Sequence, residues 1–228
     1  MGKVSAIEWT DATWNPWRGC TKVSAGCANC YMFRDAKRFG KDPTEIVRSK
    51  TTFRDPQKWK EPRMIFVCSW SDFFHEDVPA SWREQALDIM HLSPRHTFLL
   101  LTKRPQNILR MVPKEWFEIC TNVWVGITAE DQETYEERLP YLLQVPAARR
   151  FISAEPLLGP LNLGLFGTIP ASLGLGYKTV GSLLHWVIAG GESGPDFRLL
   201  PIGYPVDLLR QCQDARLPFL FKQWGGTR

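Results

Sequence analysis

Short apolar runs alternate along this chain with segments whose apolar residues recur at helical spacing. Met64-Ile-Phe-Val-Cys-Ser-Trp70, Thr97-Phe-Leu-Leu-Leu-Thr102, Val123-Trp-Val-Gly-Ile-Thr128, Arg150-Phe-Ile-Ser-Ala-Glu155, His185-Trp-Val-Ile-Ala189 and Pro218-Phe-Leu-Phe221 read as buried strands, and a first strand is expected near Ile7–Thr13. Between them, Ala80–Leu92 sets Trp82, Ala86 and Ile89/Met90 on one face, and Gln106–Val112 reads as a short helix. A further helix carries Tyr135, Leu139 and Leu142/Leu143 with Pro140 inside it, and a last one from about Pro205 to Ala215 carries Leu208, Leu209 and Cys212. Strands that are apolar throughout are covered on both faces, as in a parallel sheet wrapped by helices. Six or seven such βα units predict an α/β fold, a partial (β/α)6-type TIM barrel with outer helices, as one domain over residues 1–228.

The strands end in polar residues: Ser69, Ser71 and Asp72; Thr102, Lys103 and Arg104; Thr128 and Glu130; Ser153 and Glu155; Glu192 and Ser193. Each alone reads as a helix cap. As a series they predict a shared mouth at the C-terminal ends of the strands, where parallel α/β barrels place their chemistry. The loop after the first strand opens into the same mouth. It holds Cys20, Cys27 and Cys30 within residues 14–31, spaced C-x6-C-x2-C, with no fourth cysteine in the next thirty residues. A closed zinc or electron-transfer site takes four protein ligands. Three thiolates on one loop can hold three corners of a cubane iron–sulfur cluster and leave one iron open to a substrate or cofactor. A zinc-stabilised nucleic-acid-binding or accessory protein without radical chemistry is the alternative, with Cys68, His75, His91, His96 or His185 as fourth ligand.

Composition narrows the classes. Hydrophobic residues are 44% and charged ones 23% of the chain, as in ordinary globular proteins. The start, Met1 to Trp9, has no apolar signal segment, so six cysteines point to a reducing cytoplasm and to thiols serving metals or chemistry. Cys68, Cys120 and Cys212, isolated in apolar or helical contexts, are expected to be buried small hydrophobes. Pro156 to Tyr177 carries no charge over 22 positions, but eight of these are Gly or Pro, which argues for a loop or lid over 156–184 and no membrane association. Residues 33–63 hold ten Lys/Arg against five Asp/Glu, an excess that covers the whole net charge of +4. Phe33, Phe39, Phe53 and Trp59 lie between those charges, a basic aromatic insertion suited to phosphates and stacked bases. No G-x4-G-K-[ST], H-E-x-x-H or G-x-S-x-G pattern occurs, which disfavours P-loop and hydrolase chemistry.

A βα barrel with a three-cysteine loop after its first strand resembles the radical S-adenosylmethionine (SAM) superfamily. The whole chain is similar to the small phage- and prophage-associated family of three-Cys, radical-SAM-like proteins. The stretches that carry this are Trp14-Asn-Pro-Trp-Arg-Gly-Cys20, Gly26-Cys-Ala-Asn-Cys-Tyr31, Ser71-Asp-Phe-Phe74, Leu101-Thr-Lys-Arg-Pro105, Ser153-Ala-Glu-Pro-Leu157 and Gly190-Gly-Glu-Ser-Gly194. The superfamily loop is usually C-x3-C-x2-C with an aromatic before the third cysteine. Here the first spacing is six and Asn29 stands there, with Tyr31 one position on. The resemblance implies a [4Fe–4S] cluster on Cys20, Cys27 and Cys30, S-adenosyl-L-methionine as cofactor and a one-electron donor of flavodoxin or ferredoxin type. Ser69, Ser71 and Asp72 are assigned to the SAM amino group. Ser153, Glu155 and Glu130 are assigned to its ribose or methionine, and Lys103 or Arg104 to a carboxylate or substrate phosphate. Gly190-Gly-Glu192 lies too late in the chain for that superfamily's amino-group motif. The implied substrate is a nucleobase, nucleotide or nucleic acid, for pyrimidine modification, rearrangement or repair.

Overall fold

A computed structural model describes Ser5 and residues 7–226. Its nine strands are β1 (Ala12–Trp14), β2 (Trp17–Arg18), β3 (Val47–Arg48), β4 (Met64–Val67), β5 (Thr97–Thr102), β6 (Val123–Thr128), β7 (Arg149–Ala154), β8 (Trp186–Gly190) and β9 (Phe219–Gln223). Seven of them form one parallel sheet in the order β1-β4-β5-β6-β7-β8-β9, and β2 and β3 make a small antiparallel ribbon. The sheet curls into a half-barrel with helices around it. These are α1 (Tyr31–Arg38), α2 (Asp55–Lys58), α3 (Ala80–His91), α4 (Ile108–Met111), α5 (Lys114–Ile119), α6 (Gln132–Gln144), α7 (Val180–Leu183) and α8 (Gly203–Asp214). Among the described residues no helix is long and apolar enough to cross a membrane.

Alternation along the strands separates two cores. Ile65, Val67, Phe98, Leu100, Val125, Ile152, Val187 and Ala189 join the large core, which also holds helix residues such as Ala86, Met90, Leu142 and Leu208. The intervening residues build a second cluster: Leu99, Phe151 and Ile188 with Trp9, ringed by Met64, Phe66, Trp124 and Trp186. Trp9 contacts Phe66, Phe151 and Trp186 with centroids 4.9, 6.3 and 6.2 Å apart. This aromatic layer plugs the N-terminal part of the bore. Toward the C-terminal ends the side chains on that same face turn polar, with Thr128 and Ser153, so a cavity forms there.

The expected first strand near Ile7–Thr13 is in fact Ala12–Trp14, with Trp9 before it as part of the plug. The strand expected to reach Trp70 stops at Val67, because Cys68 turns out of it at φ +63°. The start of α6 is fixed by local chemistry: the Asp131 carboxylate accepts the Thr134 N–H at 2.9 Å, and the Thr134 hydroxyl accepts the Asp131 N–H at 3.2 Å. Such a capping box contributes about 1 kcal/mol. Residues 156–184 form a loop that ends in α7 and packs on α6 and α8. Leu163 N–H donates to Gln211 on α8, Tyr135 on α6 donates to the Leu163 carbonyl, and Ile169 and Leu183 cluster with Leu143. Cys68, Cys120 and Cys212 are buried.

Candidate functional site

The cysteine loop hangs from the end of β4. Buried Asn15 accepts the Trp70 N–H at 2.8 Å and donates to the Ser69 hydroxyl at 2.9 Å. Gly19 N–H donates to the Trp70 carbonyl, and Ser71 donates to the Gly19 carbonyl at 2.6 Å. Gly19 sits at φ +103°, and a Cβ there would strike the Glu45 carbonyl, so only glycine lets the chain cross at this point. Cys20 N–H donates to Pro43 O, tying the loop to the segment that leads into β3. A 3-10 turn over Ala25–Cys27 follows, and Cys30 directly precedes α1.

All six cysteines are free thiols. Burial pushes the Cys20 thiol up to about 12 and Asp72 adds to this, against the opposing Arg104 guanidinium, which donates to its Sγ at 3.7 Å. Burial also raises the Cys30 thiol, while the Met32 and Phe33 N–H groups in the first turn of α1 work to lower it. Among the described residues no group of three or more His, Cys, Asp or Glu is gathered into a preformed metal site. The donor set nevertheless suits a thiolate-bound cluster: three free sulfurs on one loop, with a guanidinium and two helix N–H groups offered to two of them. Hydrogen bonds to sulfur of this kind stabilise ligand charge and tune cluster potential.

Two buried ionic networks support the loop. Glu130, 0% exposed, accepts the Ser24 hydroxyl at 2.7 Å and pairs with Lys103 at 3.2 Å and Arg138 at 3.0 Å. Burial works to raise this carboxyl, but Lys103, Arg138 and the Ser24 hydrogen bond overcome it and hold it below the usual range. Gly26 is packed so closely on that carboxylate that a Cβ would fall 2.5 Å from Oε1. In the second network Asp72 accepts from Thr102 at 2.7 Å, from Phe74 N–H at 2.9 Å and from Lys103 N–H at 3.0 Å, with Arg104 at 3.5 Å. Arg104 reaches on to the Thr21 hydroxyl at 2.7 Å and to Glu76 at 3.1 Å. His75 Nε2 lies 2.9 Å from the same Thr21 hydroxyl.

In front of the loop the bore opens as a cavity of about 600 Å3, whose floor is Ile7, Trp9, Phe66 and Leu101. Its polar wall includes Arg34, Ser69, Lys103, Ser153, Glu155 and Lys222. A smaller cavity of about 170 Å3 shares Tyr31, Lys103, Glu155 and Lys222 with it and reaches Cys27, Cys30 and Glu192. Of the residues singled out from sequence, Ser69, Lys103, Ser153 and Glu155 line the bore, and Cys27 and Cys30 border its inner recess. Ser71, Asp72 and Glu130 do not line it; they face inward and brace the loop.

Sequence reading missed Lys222 and Arg198 and set Glu192 aside. Lys222 pairs with Glu155 at 2.8 Å, and its position near the end of the last strand was the available signal. Arg198 donates from Nε to Glu192 at 2.9 Å and from its terminal nitrogen to the Ala25 carbonyl at 3.0 Å, while Asn29 donates to Glu192 at 3.0 Å. The segment after β8 is thereby strapped to the cysteine loop. No local pattern announces that pairing, since the partners are about 170 residues apart.

Among solved structures the fold is similar to that of spore photoproduct lyase complexed with dinucleoside spore photoproduct, with a TM-score of 0.50 and 13% identity. The match covers 93% of this chain and 62% of the other, so this chain spans less than two thirds of that protein's length. No curated protein sequence matches. A sequence profile of the family described as "Protein of unknown function (DUF5131)" matches residues 4–228, almost the entire chain, and the chain belongs to that family.

Proposed function

We propose that this protein is a radical SAM enzyme whose substrate carries a nucleobase. One observation carries the reading: a single braced loop at the C-terminal mouth of a parallel half-barrel holds three free cysteine thiols, of which Cys27 and Cys30 border a polar-walled cavity and Cys20 lies against Arg104. Cys20, Cys27 and Cys30 would hold a [4Fe–4S] cluster. When bound, the cluster and S-adenosylmethionine supply, on one-electron reduction by a flavodoxin- or ferredoxin-type donor, a 5′-deoxyadenosyl radical able to take hydrogen from a substrate carbon.

The chain's own residues bind, orient and exclude water. Lys103 and Lys222, each already facing a carboxylate, and Arg34 offer positive charge to a cofactor carboxylate or a substrate phosphate. Ser69, Ser153 and Glu155 offer hydrogen bonds to hydroxyl and amino groups along the wall. Trp9 and Phe66 give the floor two aromatic rings and keep it dry, a fit to a planar heterocycle. Asp72, Ser71 and Glu130 hold the loop from behind, and the strap from Arg198 holds its outer side. The dinucleoside bound by the structural neighbour supports a nucleobase substrate.

Anaerobic reconstitution tests this. About four iron and four sulfide per chain are expected, with 5′-deoxyadenosine formed from SAM under dithionite and both lost in Cys30→Ala. Stoichiometric zinc in place of iron, or a cluster that never cleaves SAM, would overturn the proposal.

A further inference from the structure

The bore does not end at its rim. Thr13, Ser69 and Trp70 line both the bore and a neighbouring cavity of about 420 Å3. That cavity in turn shares Val47, Arg48 and Ser49 with an outer groove of about 720 Å3. The cavities therefore adjoin in series from the bore, past Trp70, along the β2–β3 ribbon and onto the segment before α2. The ribbon register, Trp17 opposite Arg48 and Arg18 opposite Val47, fixes this path to the strand that enters the cysteine loop.

The path is positively charged. Arg18, Lys41 and Arg48 line the middle cavity, and Arg48, Lys50, Arg54 and Lys58 line the outer one. Glu45 is the sole acidic residue among the described lining of the two, and it lies 3.9 Å from Arg18. Aromatic surface is interleaved with these cations. Trp82 is half-exposed in the outer groove, while Phe53 is buried and capped by Arg48, which lies 4.1 Å above its ring and 5.9 Å from Trp82 and whose Nε is buried with no partner. Trp70 stands half-exposed at the junction with the bore. Cations that track a path with aromatic faces between them match a phosphate backbone with unstacked bases. An acidic peptide would use the charges and leave the rings without a role. A base reaching the bore must leave any duplex stack, which favours a single strand.

We propose that the Arg18–Lys41–Arg48 and Lys50–Arg54–Lys58 path holds the backbone of a single-stranded polynucleotide, one base of which enters the bore. This rests on the nucleobase reading of the site and extends it from a free nucleotide to a strand.

The test is fluorescence anisotropy with labelled single-stranded DNA and RNA of about a dozen nucleotides, read on the cluster-loaded protein without SAM. For about four phosphate contacts, affinity should fall roughly 50-fold between about 50 and 200 mM salt. The double variant Lys50→Glu/Arg54→Glu alters two exposed side chains and should weaken binding by at least ~10-fold, with a salt slope lower by roughly 1.4. Reversal of Lys114 and Arg210, which lie outside the path, should leave affinity unchanged, and circular dichroism melting checks that each variant is folded. Salt-insensitive binding, an unaltered Lys50→Glu/Arg54→Glu variant, equal competition by a mononucleotide or by polyglutamate, or preference for a duplex would each overturn the proposal. Strand binding by a protein that never cleaves SAM would leave the path standing and remove the radical reading. SAM cleavage without strand binding would do the reverse.

Discussion

Glu130→Gln removes one negative charge from the support of the cysteine loop while keeping the side chain's shape. The carboxylate is fully buried and faces Lys103 at 3.2 Å and Arg138 at 3.0 Å. At about 3 Å and an effective dielectric near 20, each pair is worth roughly 5 kcal/mol of gross attraction. Most of this offsets the desolvation of three ions, so the intact network adds little net stability. Removing the anion alone is different: desolvation remains and two cations repel with no counter-charge, Arg138 keeping only the Thr128 carbonyl at 2.8 Å. Arg138, with its side chain 5% exposed, has no route to water, whereas Lys103, at 20%, can turn outward. Loss of one partner from a buried pair typically costs about 3–5 kcal/mol. For a chain of this size that is a fall in Tm of roughly 6–20 °C, readable by circular dichroism. The orphaned guanidinium is the cause, so adding Arg138→Met should make the double variant less destabilised than the sum of the singles by about 1–3 kcal/mol. A Glu130→Gln protein melting within about 2 °C of wild type, or strict additivity with Arg138→Met, would refute this account.

Gly19→Ala should destabilise by about 2–4 kcal/mol in urea unfolding, because the φ of +103° and the Glu45 carbonyl both oppose a Cβ and neither is a movable side-chain tip; a midpoint shift too small to resolve would show that the crossing relaxes freely. The strap should be acid-labile. Burial works to raise the Glu192 carboxyl, but hydrogen bonds from Arg198 and Asn29 overcome it and hold it below the usual value. Its contribution is therefore fully present above the unfolded value of about 4.3 and is lost as pH falls through the lower folded one. Amide exchange over residues 192–198, corrected for intrinsic rates, should quicken on that acid side, and Arg198→Ala should show the fast exchange already at neutral pH. Unchanged protection in both cases would remove the strap from consideration.

The strand and helix pattern was written in the sequence because buried parallel strands need continuous apolar runs and their helices need one apolar face. Thr97–Thr102 and Val123–Thr128 coincide with β5 and β6 residue for residue, and Ala80–Leu92 runs one residue past α3. The cysteine spacing and the polar strand endings placed Cys27, Cys30, Lys103, Ser153 and Glu155 at one mouth, since every strand of a parallel sheet delivers its C-terminal residue to the same side. The ends that failed were set by contacts. Cys68 closes β4 early through a backbone turn, and Trp9 leaves the first strand to fill the bore.

Sequence alone also settled the charge excess of residues 33–63 but not its arrangement. Phe53 is buried and Trp59 packs on the core, while Arg48, Lys50 and Arg54 gather along a groove that the β2–β3 ribbon joins to the bore. Likewise Asp72 and Glu130, polar strand endings like the rest, became braces because buried Arg104 and Arg138 pair with them behind the loop, while Lys103 reaches Glu130 from the bore side. Local periodicity determines which residues are strand, helix or strand end. Which of those ends face a cavity, and which are consumed in holding it open, depends on partners tens to more than a hundred residues away that only the closed half-barrel brings within hydrogen-bond reach.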